Sequence, residues 1–201
     1  MEATENSPFI KFCKLISNFF NPLISLVIYY IYSSFSGGSA TSNIQFLPIL
    51  FIIILPILFW LIYNVKVGKY SNMDVSNREQ RKSLYLFIAG VMLLYLAYDY
   101  FIVEHLNLEI VFIFLLLIAM QISNYFIKSS MHTAFNVLVA AFLFVLNPLM
   151  GAVWMGISIL VGYTRILLKR HSLKEVLMGA FLALVISLVY IFMYISMNFN
   201  H

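Results

Sequence analysis

Seven stretches of this chain are apolar over 17 to 23 residues, and that pattern decides what the chain can fold into. A helix needs about 20 apolar residues to cross a bilayer. The candidates are Leu15–Ser34, Phe46–Asn64, Ser83–Val103, Leu108–Ile127, Thr133–Leu149, Ala152–Leu168 and Glu175–Met197. The fifth and sixth are short and would cross only if nearly upright. In lipid every backbone N–H and C=O must be paired within the segment, so such stretches read as helices. The expectation is an all-α, polytopic transmembrane bundle of about seven spanning helices.

Composition agrees. Of 201 residues, 63% are hydrophobic and 10% charged. Soluble domains run near 45–50% apolar and about 25% charged. One integral membrane domain over 1–201 is expected, with no room for a second. The lone Cys13 cannot form an internal disulfide. Met1 to Ser7 is polar and acidic, without the basic region of a cleavable signal, so the first apolar run is expected to stay as an anchor. A net charge of +4, spread along the chain, gives no footprint for nucleic acid.

Ser7-Pro8 is a candidate start for the first helix, with Lys11 and Lys14 reaching for headgroups. Asn21-Pro22 and Pro56 are candidate kinks, although prolines are common in membrane helices. Ser36-Gly-Gly-Ser-Ala-Thr-Ser reads as a flexible turn, Asn147–Gly151 as a tight one, and Val65–Lys82 as the long polar loop.

With seven crossings, all 12 Lys and Arg fall on the amino-terminal face, while Asp99, Glu104 and Glu109 fall on the other. The positive-inside rule then places the amino terminus and the basic face in the cytoplasm, in a cell (inner) membrane, with the carboxy terminus outside.

Three polar groups share that basic face. The first, Lys66 to Lys82, supplies Lys69, Arg78 and Arg81. The second is Lys128-Ser129-Ser130-Met131-His132-Thr133. The third runs from Gly162 to Glu175. Polar clusters beside a membrane cost free energy and are functional candidates for that reason. His171 and Glu175 are four apart and share a helix face. A carboxylate on one imidazole nitrogen fixes the tautomer and leaves the other as nucleophile or base. Arg165 points away from His171 on one continuous helix, but a helix ending near Leu168 lets the chain fold back. Ser129-Ser130 opens a helix, where N–H groups and a hydroxyl can hold an anion, and His132 lies in its first turn. Several cations with two histidines form the equipment for phosphate chemistry.

Lys169, Arg170, Lys174, Lys82 and Lys128 read as topology anchors. His105 with Glu104 and Glu109 reads as a solvated turn, and His201 has no assigned role. Tyr29, Tyr30, Tyr32, Tyr95, Tyr98 and Tyr100 read as interfacial belt residues.

The three groups together resemble the type 2 phosphatidic acid phosphatase family, whose motifs are Lys-x6-Arg-Pro, Pro-Ser-Gly-His and Ser-Arg-x5-His-x3-Asp. The third motif is matched as Thr164-Arg165-x5-His171-x3-Glu175. The second is matched in part as Ser129-Ser130-Met131-His132, with Ser and Met in place of Pro and Gly. The first is represented by Lys69-x8-Arg78, two residues longer and without the Pro. The resemblance covers roughly 66–198 as a phosphatase-like core, preceded by two helices in 8–64 that add nothing to it.

What the resemblance implies is a metal-independent hydrolase acting on the phosphomonoester or diphosphate of a membrane lipid. His171 would be the nucleophile, Glu175 its orienting partner and His132 the proton donor. Arg165, Lys69, Arg78 and Ser130 would bind the phosphoryl oxygens, with Arg81 as the alternative to Arg78. No cofactor is implied. Two other readings fit the same residues: a phosphotransferase on the same fold, and a non-catalytic lipid-binding or transport protein.

Overall fold

The computed structural model describes residues 7–36, 46–75, 77–104 and 106–199. Among them every regular element is helical: α1 (Pro8–Phe19), α2 (Pro22–Ser36), α3 (Phe46–Lys66), α4 (Arg78–Val103), α5 (Leu108–Ser123), α6 (Met131–Leu146), α7 (Pro148–Leu167) and α8 (Leu173–Phe199). Each expected apolar stretch is helical, but length separates them. Four helices are long and apolar enough to cross a membrane, and α1 with α2 make a fifth if the bent pair counts as one span. α5 and α6 have only 16 residues each. The all-α, membrane-spanning expectation holds, while among the described residues four or five spans stand where seven were expected. The expected Ser36–Ser42 turn falls largely outside the described residues, as do His105 and His201.

The chain groups into two compact units, 1–29 with 129–201, and 30–128. The first is built on α6. Every residue from His132 to Leu143 on that helix is buried, so it is the axis on which α7 and α8 pack, with α1 against α7. A helix apolar all round belongs in the middle of a bundle. Asn147 caps α7 by accepting from the N–H groups of Leu149 and Met150, with Pro148 at the first turn.

Asn21-Pro22 breaks the first apolar stretch outright, and α1 and α2 meet at a 58° bend. Proline has no N–H to continue the ladder. Two asparagines fill the gap. The Asn21 amide donates to the Asn18 carbonyl at 2.8 Å and its oxygen accepts from Ile24 N–H at 3.0 Å. Asn136 on α6 donates to the Phe20 carbonyl at 2.9 Å and to the His132 carbonyl at 2.7 Å. The Asn136 oxygen accepts from Ser25 and from the Trp154 indole, at 3.0 and 3.1 Å. A buried amide with all of these partners costs little to bury. Pro56 does not break α3. The turn before it, Leu50–Ile54, is π-helical, and the wider turn absorbs the ring that would press on the Ile52 carbonyl.

In the second unit, α4 packs against α3 and α5. Trp60 on α3 stacks on Phe87 of α4 with ring centroids 4.1 Å apart. The Tyr70 hydroxyl meets the Trp60 indole N–H at 3.1 Å and the Ser83 hydroxyl at 2.9 Å, which pins the turn joining α3 and α4. That turn ends sooner than expected. Asn77 caps α4 through Glu79 N–H at 2.9 Å, so Arg78, Arg81 and Lys82 sit on a helix rather than in a loop. At the other end of α4, the Asp99 carboxylate accepts from Asn107 N–H at 2.6 Å, and Asn107 in turn caps α5.

Candidate functional site

The end of α7 is where the polar chemistry of the first unit begins. Lys169 has a left-handed backbone, φ 53°. Its N–H donates to the Ile166 carbonyl at 2.9 Å, and Arg170 N–H donates to the Arg165 carbonyl at 3.1 Å. These are the paired closures of a Schellman motif, here with Lys where glycine is usual. His171 N–H joins the same Arg165 carbonyl at 3.2 Å. The chain therefore folds back as the six-residue spacing required, and brings the Arg165 and His171 backbones together. Both side chains are buried, Arg165 at 1% and His171 at 4% relative exposure.

α8 then starts with a capping box. Glu175 N–H donates to the Ser172 hydroxyl at 3.3 Å, and Ser172 N–H donates back to the Glu175 carboxylate at 3.1 Å. The same carboxylate oxygen lies 2.9 Å from His171 Nδ1. One carboxylate thus closes the helix start and orients the imidazole. The Ser-x-x-Glu spacing of a capping box stands in the sequence at Ser172 and Glu175.

The second polar group reaches the third through α6. Ser130 N–H donates to the Glu175 backbone carbonyl at 2.9 Å. Gly179, one turn further along α8, makes this approach possible: a Cβ there would stand 2.6 Å from the Ser130 carbonyl oxygen. Gly162 on α7 does the same on the other side, where a Cβ would meet Thr133 at 3.4 Å and Val176 at 3.0 Å. His132 lies between Ser130 and Thr133 in sequence and is buried. The Ser130 hydroxyl caps α6, accepting from Thr133 N–H at 3.5 Å and Thr133 Oγ1 at 3.1 Å. The expected anion cradle at Ser130 is thus partly used within the protein, by its own cap and by Glu175.

Arg165 has a partner that sequence reasoning missed. Its Nη1 donates to the hydroxyl of Ser17 on α1 at 3.0 Å, and Ser17 is fully buried. The two residues are 148 positions apart, too far for any local pattern to link them.

Lys69, Arg78 and Arg81 belong to the second unit. Lys69 is exposed in the turn before α4. Arg78 donates through Nε to the Asn124 carbonyl, and the Asn124 amide donates back to the Arg78 carbonyl at 3.3 Å, tying the start of α4 to the end of α5. Arg81 is buried and donates to the Val75 carbonyl at 3.0 Å, holding Val75 at φ 45°. Both arginines therefore have structural duties where they stand.

Among the described residues no group of three or more His, Cys, Asp or Glu is placed to hold a metal ion. Comparison with protein-family models, with curated proteins and with solved structures finds no match to this chain.

Proposed function

We propose that this protein is a membrane lipid-phosphate phosphatase, cleaving a phosphomonoester or diphosphate of a lipid through a phospho-histidine. The observation that carries the reading is the buried His171 with Nδ1 2.9 Å from a carboxylate that is itself fixed by a helix cap. The carboxylate takes the Nδ1 proton as its hydrogen-bond partner, so Nε2 presents its lone pair. In the first step Nε2 forms a bond to phosphorus, the bond from phosphorus to the lipid oxygen breaks, and His132 gives that oxygen a proton. In the second step His132 takes a proton from water, the water oxygen attacks phosphorus, and the P–N bond breaks to release phosphate. The Arg165 guanidinium binds nonbridging oxygens and stabilises the charge that builds on them. The lipid tail stays in the bilayer, and the site faces the cytoplasm. No step in this scheme draws on a metal.

The test is phosphate release by purified protein from phosphatidic acid, phosphatidylglycerol phosphate, a sphingoid phosphate and a prenyl diphosphate. Release from one of them, lost in His171→Ala, supports the reading; release unchanged in His171→Ala sinks it. An alcohol acceptor in the same assay separates hydrolase from phosphotransferase.

A second reading has one observation in its favour. Ser130 N–H, the Ser130 hydroxyl and Arg78 Nε are all engaged within the protein. A non-catalytic lipid-phosphate binder needs no more than the remaining cations. Saturable binding of phosphate or vanadate without turnover on any of the four lipids would favour it.

A further inference from the structure

The first helix, α1, belongs to none of the stretches that carry the proposed chemistry, and its surface is divided three ways. At 3.6 residues per turn its 12 residues fall into three sectors. Cys13, Ile16 and Ser17 are buried, on the side by which α1 packs against α7. Lys11, Lys14 and Asn18 stand at i, i+3 and i+7 and form a second, polar sector outside the core. Pro8, Phe12, Leu15 and Phe19 form the third, which is apolar and turned away from the protein. Phe12, Leu15 and Phe19 are 57%, 65% and 52% exposed. We propose that α1 lies in the membrane interface, with Phe12, Leu15 and Phe19 in the acyl boundary and Lys11 and Lys14 on the headgroups of anionic lipid. The proposal does not depend on the phosphatase reading.

Two features separate this placement from a span. The first is the polar sector. It runs along most of α1, from Lys11 to Asn18. A helix deep in hydrocarbon has no use for such a stripe, whereas a helix at the interface meets both solvents side by side. The sector also has one sign, since α1 carries two lysines and no acid. A basic face of this kind complements a negatively charged lipid surface.

The second feature is direction. Twelve residues of helix are about 18 Å long, short of the roughly 30 Å hydrocarbon core. α1 and α2 meet at 58°. With α2 along the membrane normal, α1 climbs only about 10 Å over its whole length. That matches the depth to which an interfacial helix buries its apolar face. The bend is built into the chain. Pro22 has no N–H to continue the ladder, and the Asn21 oxygen takes the Ile24 N–H at 3.0 Å instead. The Phe20 carbonyl, at the end of α1, is held by the Asn136 amide at 2.9 Å. The chain thus spends two asparagines and a proline on turning a basic, half-apolar helix away from the axis of α2.

The experiment uses the full chain in vesicles of phosphatidylcholine with phosphatidylglycerol. A nitroxide is placed in turn on Lys11→Cys, Phe12→Cys, Lys14→Cys, Leu15→Cys, Asn18→Cys and Phe19→Cys. Cys13 is buried, so wild type serves as the labelling control. Power saturation by oxygen and by a water-soluble nickel chelate reads the depth of each label. Labels on Phe12→Cys, Leu15→Cys and Phe19→Cys are expected to favour oxygen, and the other three the nickel chelate, so that depth follows the helix turn. A depth that changes steadily by roughly 1.5 Å per residue, whichever sector carries the label, shows a span and overturns the proposal. Apolar-sector labels shielded from both probes, with spin–spin coupling between molecules, show a second copy on this face and overturn it as well. The choice of lipid is read from a bimane on Leu15→Cys, quenched by doxyl-labelled lipid, with Phe12→Cys as the second site where Leu15→Cys does not fold. Phosphatidylglycerol is expected to compete roughly ten-fold better than phosphatidylcholine at low salt, and Lys11→Gln with Lys14→Gln to bring the two level. Equal competition without those changes, or a preference that survives them, overturns the assignment to anionic lipid.

Discussion

The backbone N–H of His171 donates to the carbonyl of Arg165 at 3.2 Å, across the turn that ends α7. Two residues that a continuous helix would point apart are locked together by this turn. Its left-handed residue is Lys169, and its exit is the capping box of Ser172 and Glu175. The candidate nucleophile and the candidate phosphate ligand thus share one local structure, built within 11 residues.

Glu175 has two duties, and a substitution can separate them. Glu175→Gln keeps a side chain able to close the capping box but removes the charge opposite His171. The expected result is a melting temperature close to wild type and a kcat lower by roughly 10²-fold. Glu175→Ala loses both duties and is expected to cost about 1 kcal/mol of stability in addition. Thermal melts paired with phosphate-release rates check both. Full activity in Glu175→Gln would show that the carboxylate serves the helix cap alone.

Gly179 is the point where α8 passes Ser130. A Cβ at 2.6 Å from the Ser130 carbonyl cannot be accommodated by a side-chain rotation, because the neighbour is backbone. Gly179→Ala is expected to push the start of α6 away from α8, at a cost of about 1–3 kcal/mol. Lower phosphate release is expected with it, since the bond from Ser130 N–H to the Glu175 carbonyl stretches. A variant as stable and active as wild type would mean that the approach of the two elements is unimportant.

Lys169 carries a Cβ in a conformation that suits glycine. Lys169→Gly is expected to stabilise the protein by about 1 kcal/mol, a rise of roughly 2–4 °C in melting temperature. Activity should be unchanged, because the exposed Lys169 side chain has no part in the scheme. A fall in melting temperature would show that the side chain does more than tolerate the turn.

The proposed cytoplasmic orientation rests on the charge count over seven crossings and is open to direct test. Cys13 is buried, so Asn72→Cys in the exposed turn before α4 gives a reporter thiol. Cytoplasmic placement of that turn predicts no reaction with a membrane-impermeant maleimide in intact cells, and ready reaction once the cells are opened. Labelling from outside would reverse the topology.

The parts of this structure that sequence could show are those set by short range. Apolar run length gave the helices, and the i, i+4 spacing gave His171 with Glu175. The end of α7 near Leu168 was also readable, because the polar run from Lys169 interrupts the apolar pattern. Other features were hidden. A Schellman turn on Lys169 lacks the glycine that would have announced it. Arg78 and Arg81 looked like loop cations because the charged first turn of α4 carries no apolar periodicity, although Asn77 was available as a cap. Ser17 and Asn136 depend on partners more than 100 positions away, and nothing along the chain marks them.

The central claim is that His171 becomes covalently phosphorylated. The direct measurement is rapid quench of wild-type protein with a phosphate-labelled lipid substrate, followed by peptide mass mapping under alkaline conditions. The account predicts an acid-labile phosphoryl group on His171, absent in His171→Ala and longer-lived in His132→Ala, where no base activates water. Turnover in wild type with the label on another residue, or turnover that persists in His171→Ala, would contradict it.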